Sequence, residues 1–144
     1  MGVVVVGVDG SERSVPALEW AGKEAAAHGH TLRVVTAWSI PVTALSPGGL
    51  PAPYPIDELE GDARAAQDAV IAKAGIPAGV EIEHHIVEGG PGAVLIDAAK
   101  SADLVVVGSR GHGGFAGLLL GSVGQQVTGH AACPVVVVPT AHHE

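Results

Sequence analysis

Short apolar runs separated by stretches of helical periodicity constrain the fold of this chain more than any other feature. Three of these runs are almost entirely valine, at residues 3–6, 104–107 and 135–138. Strands without polar alternation are typical of a parallel sheet that helices cover on both faces. The regular exchange of such strands with helical patterns therefore predicts an α/β fold built on a parallel sheet.

The same patterns give the order of the elements along the chain. Strands are predicted at residues 3–8, 32–38, 80–87, 103–107 and Val135–Val138, and helices at Val15–His28, 57–74, from Pro91 onward and at Ser122–His130. The third strand alternates between apolar and polar residues, which is typical of a half-exposed edge strand. Residues 39–56 contain five prolines and are predicted to form an irregular crossover. We expect one domain over residues 1–144.

Charge and composition argue against several classes of function. The formal charge is −8, which repels nucleic acid and anionic membranes, so neither is an expected partner. No apolar run approaches the about 18 residues needed to cross a bilayer. The chain has no charged leader before Val3 and a single cysteine, Cys133, which excludes an intrachain disulfide. These features together predict a cytoplasmic protein.

Two segments that follow predicted strands carry the chemistry of a binding site. The first covers residues 7–11, and the second covers residues 108–122, with six glycines in fifteen residues. In open parallel sheets, ligands bind at the carboxyl ends of strands, where the strand order reverses. Glycines allow close backbone approach, and a helix that starts afterwards adds amide donors for an anion. Residues 108–122 are therefore a candidate phosphate cradle, with a flexible loop as the alternative.

Two common nucleotide motifs do not explain the glycine-rich segment. It has no lysine for a Walker A loop, and its match to G-x-G-x-x-A lacks a following acidic residue for the ribose. The pattern Gly108-x2-Gly111-x9-Gly121-Ser122 instead resembles the ATP-binding pattern G-x2-G-x9-G-[S/T] of the universal stress protein family. The opening and the ending of the chain, at residues 5–11 and 132–138, are also similar to that family, so the resemblance covers the whole chain.

This resemblance implies a Rossmann-like fold of the adenine nucleotide hydrolase type. Its single open five-stranded parallel sheet would have the order 3-2-1-4-5, with helices on both faces and ATP at the ends of strands one and four. The implied contacts to adenine and ribose come from Asp9, with its neighbours Val8 and Ser11, and from the backbone near Ala37. The implied contacts to ribose and phosphates come from Gly108, Gly111, Gly113, Gly121, Ser122 and Val123. Asp9 as a plain turn residue is the alternative.

The remaining polar residues of the glycine-rich segment indicate how charge is balanced. Arg110 is its one cation and either contacts phosphate or is solvated. One arginine does not balance a triphosphate, so we expect Mg²⁺ with phosphate and water ligands, and no metal site made by the protein alone. His112 either packs on the nucleotide or acts as a base. No catalytic set is visible, so at most slow ATP hydrolysis is expected.

The leading hypothesis is an ATP-binding regulatory dimer in stress adaptation, with an unidentified protein partner. The alternatives are a true ATPase or phosphotransferase, and a dimeric interaction protein that binds no nucleotide. A second copy pairing along Val135–Val138 would cover an apolar sheet edge, unless a tail or helix of the same chain does so. Ser122 also forms a Ser-x-x-Gln capping box with Gln125, in which it would cap the last helix.

Overall fold

Five strands form one parallel sheet at the centre of the molecule. The computed structural model describes residues 2–40, 55–109 and 120–140. Its strands are β1 (Val3–Gly7), β2 (Thr31–Trp38), β3 (Ile82–Glu88), β4 (Leu104–Gly108) and β5 (Val135–Val138), and its helices are α1 (Val15–His28), α2 (Ile56–Lys73), α3 (Pro91–Ala99) and α4 (Ser122–His130). The sheet order is β3-β2-β1-β4-β5 with every pair parallel. The predicted fold class and strand order are therefore confirmed.

Two apolar cores lie on opposite faces of the sheet, because successive side chains of a strand point to opposite faces. On one face, Val4 and Val6 of β1 pack with Leu18 of α1 and with α2. On the other face, Val5 packs with Leu95 of α3 and with α4. The uninterrupted valine run of β1 is thus buried on both sides, which explains why it lacks polar alternation.

The predicted bounds are correct at both ends for α1, α4 and β5, and the predicted start of α3 at Pro91 is correct. The bounds of β1, β2, β3, β4 and α2 are displaced by one or two residues. The largest displacement among the strands is in β3, which begins at Ile82 and not at residue 80. β3 lies at one edge of the sheet with partly exposed side chains, as its alternating sequence predicted. Strand ends are set by backbone pairing with a neighbour, which residue type alone does not specify.

Two predicted features fall largely outside the described residues. Most of the proline-rich crossover lies in residues 41–54, and the middle of the glycine-rich segment lies in residues 110–119. The predictions for Arg110, Gly111, His112 and Gly113 belong to that second gap. Within the described ranges, no helix has the length and apolar character that a membrane crossing requires.

The first core generates a test of the fold. Leu18 is fully buried in it, so Leu18→Ala is expected to lower the free energy of unfolding by about 2–5 kcal/mol. Lys23→Ala, on the exposed side of the same helix, is the matched control and is expected to change it by less than about 0.5 kcal/mol. Urea unfolding of the two variants measures both values, and equal losses would contradict the packing of α1 described above.

Candidate nucleotide-binding site

The carboxyl ends of β1 and β4 lie side by side in the middle of the sheet. The two strands pair in parallel up to Val6 and Val106. After β1 the chain forms α1 on one face of the sheet and continues to β2, the neighbour on one side. After β4 it forms α4 on the opposite face and continues to β5, the neighbour on the other side. The strand order reverses at this point, which is where open α/β sheets bind their ligands.

A compact polar turn around Asp9 follows β1. Asp9 Oδ1 accepts hydrogen bonds from the Ser11 backbone nitrogen at 2.9 Å, from Ser11 Oγ at 2.7 Å and from Ser14 Oγ at 2.8 Å. Ser14 Oγ in turn accepts a bond from the Asp9 backbone nitrogen at 3.1 Å. The carboxylate is therefore held in a fixed orientation beside the strand end. Asp9 does form the turn that was the alternative to a ligand contact, and the turn leaves its side chain exposed.

Helix α2 packs directly against this turn at Gly10. Gly10 has a φ of +85°, and a Cβ at this position would lie 2.8 Å from the Cβ of Ala66 in α2. A second link is the ion pair between Lys73 Nζ and Glu12 Oε2, at 3.0 Å. Glycine is required here both for the left-handed backbone and for the close approach. The position of the Asp9 turn consequently depends on α2.

The backbone of Ala37 faces the site beyond the end of β1. The Val8 nitrogen donates to the Val35 oxygen at 3.0 Å, and the Gly89 nitrogen donates to the Trp38 oxygen at 2.8 Å on the β3 side. Successive residues of a strand direct their N–H and C=O groups to alternate sides. Ala37 therefore directs one donor and one acceptor to the β1 side, past the point where β1 ends. The Val8 side chain is buried in the first core, so only its backbone can meet a ligand.

The two described ends of the glycine-rich segment, at Ser109 and Gly121, are hydrogen-bonded to each other at the edge of the sheet. The Ser109 nitrogen donates to the Val138 oxygen at 2.8 Å, and the Gly121 nitrogen donates to the Ser109 oxygen at 2.6 Å. Ser109 Oγ also accepts a bond from the Thr140 nitrogen at 2.9 Å. These bonds join the entry and the exit of the segment beside Gly108. In this structure the Gly121 amide, one of the predicted phosphate donors, has the Ser109 carbonyl as its partner.

Helix α4 begins with amides directed at the same place. Gly121 is the N-cap residue, and Ser122 is the first helical residue. The predicted capping box is wrong, because Ser122 does not occupy the cap position and Gln125 Nε2 donates to the Leu120 oxygen at 3.1 Å instead. The amides of Ser122, Val123 and the next residue have no partner inside the helix. Ser122 is exposed, so its hydroxyl and these amides can face an anion together.

Close packing brings this helix start to the end of β4. A Cβ on Gly124 would lie 2.5 Å from Leu120 Cδ1 and 3.9 Å from the Gly108 oxygen. Gly124 thus packs on Leu120 and lies beside the end of β4, which brings the start of α4 close to the strand. The first-turn amides and the positive end of the helix dipole are thereby placed beside the ends of β1 and β4, where a phosphate would profit from both.

Several positive side chains of the described residues are held in ion pairs. Four cations are paired with carboxylates, in the pairs Arg33–Glu83, Arg64–Glu60, Lys73–Glu12 and Lys100–Asp97. Within the described ranges, no group of three or more histidine, cysteine or acidic side chains is arranged to hold a metal ion. At the start of α4 the described residues offer an anion backbone amides and a hydroxyl, and Arg110 lies in the gap.

Cys133 has the environment of an inert thiol. It is half-buried and packs against the second core, on the α3 and α4 face of the sheet. Burial, followed by the negative charge of Asp103, raises the pKa of its thiol above the ordinary value. A raised pKa keeps the group protonated at neutral pH, and the thiolate is the reactive form. In this position Cys133 packs as a small apolar residue.

Three residues of the site escaped the sequence reasoning: Ser14, Ser109 and Ala66. Ser14 is buried and orients Asp9, and Ser109 joins the two ends of the glycine-rich segment. A serine near an aspartate that follows a strand is a known turn signal, and that signal could have identified Ser14. The contact of Ala66 with the turn joins distant parts of the chain, and no local pattern indicates it.

The open parallel sheet and the turns at its switch point define a Rossmann-like α/β protein. The family model described as "Universal stress protein family" matches residues 1–139, and the chain belongs to that family. Universal stress protein Rv2624c of Mycobacterium tuberculosis (strain ATCC 25618 / H37Rv) is 36% identical over 140 residues, covering 96% of this chain and 48% of the relative. The chain thus spans about half the length of the curated relatives it matches.

Solved structures of the family share this fold. A universal stress protein in complex with cAMP is 33% identical, with 97% of this chain and 98% of that chain covered and a TM-score of 0.63. UspA from Lactobacillus plantarum is 26% identical, with coverages of 95% and 97% and a TM-score of 0.73. The universal stress protein from Archaeoglobus fulgidus in complex with dAMP is 25% identical, with coverages of 96% and 97% and a TM-score of 0.63.

The Asp9 turn generates a prediction about stability. Asp9→Ala removes the acceptor of three hydrogen bonds and is expected to lower the free energy of unfolding by about 1–3 kcal/mol. Asp9→Asn keeps an Oδ1 acceptor, so a smaller loss is expected. Urea unfolding measures both, with Asp97→Ala as the control, because the Asp97 side chain is exposed on α3. A loss for Asp9→Ala no larger than that of the control would show that the turn does not depend on the carboxylate.

Proposed function

We propose that this chain is an adenine nucleotide-binding regulatory protein and that its ligand is ATP. The observation that carries the proposal is the convergence of three elements at the switch point: the fixed Asp9 carboxylate, the inward backbone of Ala37 and the first turn of α4. The family relatives solved in complex with cAMP and dAMP support an adenine nucleotide as the ligand.

The backbone of Ala37 is proposed to recognise the base by hydrogen bonds. Ala37 offers one N–H donor and one C=O acceptor toward the site. Adenine presents an acceptor, N7, beside an amino donor, whereas guanine presents two acceptors, N7 and O6, on the same edge. The N–H and C=O of Ala37 complement N7 and the amino group of adenine. With guanine, the C=O of Ala37 would face O6, which is also an acceptor. The proposed site therefore prefers ATP to GTP.

Asp9 is the proposed contact to the ribose. A carboxylate accepts hydrogen bonds from sugar hydroxyls, and the bonds from Ser11 and Ser14 hold this carboxylate in place before a ligand arrives. Fixing its orientation in advance lowers the entropic cost of binding. The Ser11 hydroxyl and the Val8 backbone lie on either side of Asp9 in the chain and complete this part of the proposed site.

The phosphates are assigned to the glycine-rich segment and the start of α4. Ser122, by its hydroxyl and amide, and Val123, by its amide, would hold the terminal phosphates. The Gly121 amide joins them only when its bond to the Ser109 oxygen opens. The remaining proposed contacts are Gly108, Arg110, Gly111, His112 and Gly113.

The binding test compares Ser122→Ala with Thr128→Ala by titration calorimetry with ATP. Loss of one hydrogen bond to a charged phosphate is expected to weaken binding about tenfold to a hundredfold. Thr128 lies on the same helix and donates to the Gln125 oxygen at 3.2 Å, away from the helix start, so Thr128→Ala is expected to leave the affinity unchanged. Equal affinities for wild type and Ser122→Ala would remove α4 from the site.

Removal of the divalent ion is the second binding test. A triphosphate carries several negative charges, so Mg²⁺ held by phosphate and water is proposed to accompany ATP. Excess EDTA is expected to weaken ATP binding, while affinity for AMP, which carries less charge, changes little. Equal sensitivity of the two nucleotides to EDTA would count against the metal.

The proposed regulatory form is a dimer. β5 is the outermost strand on its side of the sheet, and its four valines are only partly buried within one chain. Pairing with β5 of a second copy would satisfy its outer backbone groups and cover the valines. Binding of ATP beside Gly121 and Ser109, which bonds to Val138, would alter this edge. The protein partner and the stress that this dimer serves stay predictions.

Two alternatives have distinct outcomes. An ATPase or phosphotransferase would release many phosphates per minute from purified protein, whereas the proposed regulator releases few. An interaction protein without a ligand would purify free of nucleotide and show no heat on titration with ATP. Native mass spectrometry of the isolated protein separates this last case from the proposal.

A further inference from the structure

One glutamine side chain lies completely buried between α2 and the sheet. Gln67 has no exposed surface. Its Nε2 lies 3.0 Å from Thr36 Oγ1, 3.2 Å from the Val34 oxygen and 3.2 Å from the His85 oxygen, so its two N–H groups are shared among three acceptors. Its Oε1 lies 3.3 Å from His84 Nδ1. The amide therefore joins α2 to β2 and to β3.

Burial of this amide is not explained by packing alone. An apolar side chain of similar size would fill the same space beside Val70 without the cost of removing an amide from water. The cost is offset only because every polar atom of the amide has a partner, and such a network fixes one arrangement of the groups it joins. A buried hydrogen-bonded amide of this kind fixes the relative positions of the elements it joins more than it raises the free energy of unfolding.

The groups that Gln67 and its neighbour touch are adjacent to the proposed base and ribose contacts. Gln67 bonds to Thr36, which precedes Ala37 in β2. Ala66, the preceding residue of α2, abuts Gly10, which follows Asp9. Two consecutive residues of α2 thus contact the residue before Ala37 and the residue after Asp9, the two proposed nucleoside contacts.

We propose that Gln67 is a positioning residue that sets the separation between Ala37 and Asp9 and thereby the preference of the site for adenine. This inference rests on the proposed function. By fixing Thr36, the amide holds the donor and the acceptor of Ala37 in register with the edge of the base. By anchoring α2, it keeps Ala66 against Gly10, so the Asp9 turn stays at a constant distance from β2.

The experiment separates selectivity for the base from stability of the fold. Binding of ATP, GTP and inorganic tripolyphosphate is measured by calorimetry for wild type, for Gln67→Leu and for the double variant Thr36→Val/Gln67→Leu. The double variant removes both partners of the bond, so it leaves no unpaired hydroxyl and keeps the fold testable if the single variant is unstable. Val70→Ala, on the same helix one turn away and equally buried, is the matched control for lost stability.

The expected result is a change in selectivity without a change in phosphate binding. In both Gln67 variants the preference for ATP over GTP is expected to fall about fivefold to tenfold, which corresponds to one displaced hydrogen bond. Affinity for tripolyphosphate is expected to stay unchanged, because the phosphates are assigned to the glycine-rich segment and α4. Val70→Ala is expected to lower the melting temperature and to keep the wild-type preference.

Two results would overturn the inference, and they are distinguishable. If wild type binds ATP in preference to GTP and both Gln67 variants keep that preference, Gln67 only supports packing, and the proposed function stands. If Val70→Ala loses the preference as strongly as the Gln67 variants, general loosening of α2 is the cause, and the positioning role fails. If wild type binds no nucleotide, the proposed function fails and this inference fails with it.

Discussion

The parallel pairing of β1 with a strand on each side is the constraint on which the rest of the structure depends. β1 is hydrogen-bonded to β2 and to β4, and its side chains alternate between the two cores. β1 is buried on both faces, which explains why its residues are apolar. Along this part of the chain the first polar side chain, Asp9, comes only after the strand ends. The Asp9 turn begins two residues after that end, and its position follows from the burial of the strand.

Three elements that are distant in sequence meet at this end, and each is placed by a different interaction. Hydrogen bonds from Ser11 and Ser14 hold Asp9 within its own turn. The alternation of backbone groups in β2 directs Ala37. Packing of Gly124 on Leu120, beside Gly108, places the start of α4. These interactions lie mostly in the backbone or in short side chains, and such groups lose little conformational freedom when a ligand binds.

The fold could be predicted from the sequence because strands buried on both faces require apolar residues at successive positions, and such runs are visible in the sequence. The valine runs predicted the strands. The bounds of α1, α4 and β5 were predicted correctly because residues that end helices or strands follow them in the sequence. Gly29, for example, ends α1 with a left-handed φ of 67°. The capping role of Ser122 was wrong, because Gly121 adopts the extended backbone of the cap one residue earlier. A capping box does not reveal which of two neighbouring residues leaves the helix. The contacts of Gln67 and Ala66 depend on how α2 lies on the sheet, and only the tertiary structure contains that information.

The acidic charge of the chain and an anion site within it are compatible because the two act over different distances. A formal charge of −8 acts beyond the surface and repels long polyanions before contact. Salt screens that repulsion over about 8–10 Å, so a small anion with a divalent ion can approach. In the proposed site, the amides of Ser122 and Val123 would meet the anion as fixed dipoles, which need no positive side chain. The proposed amide-based site on an acidic surface would therefore accept a compact nucleotide and disfavour a nucleic acid, although both present the same phosphate group.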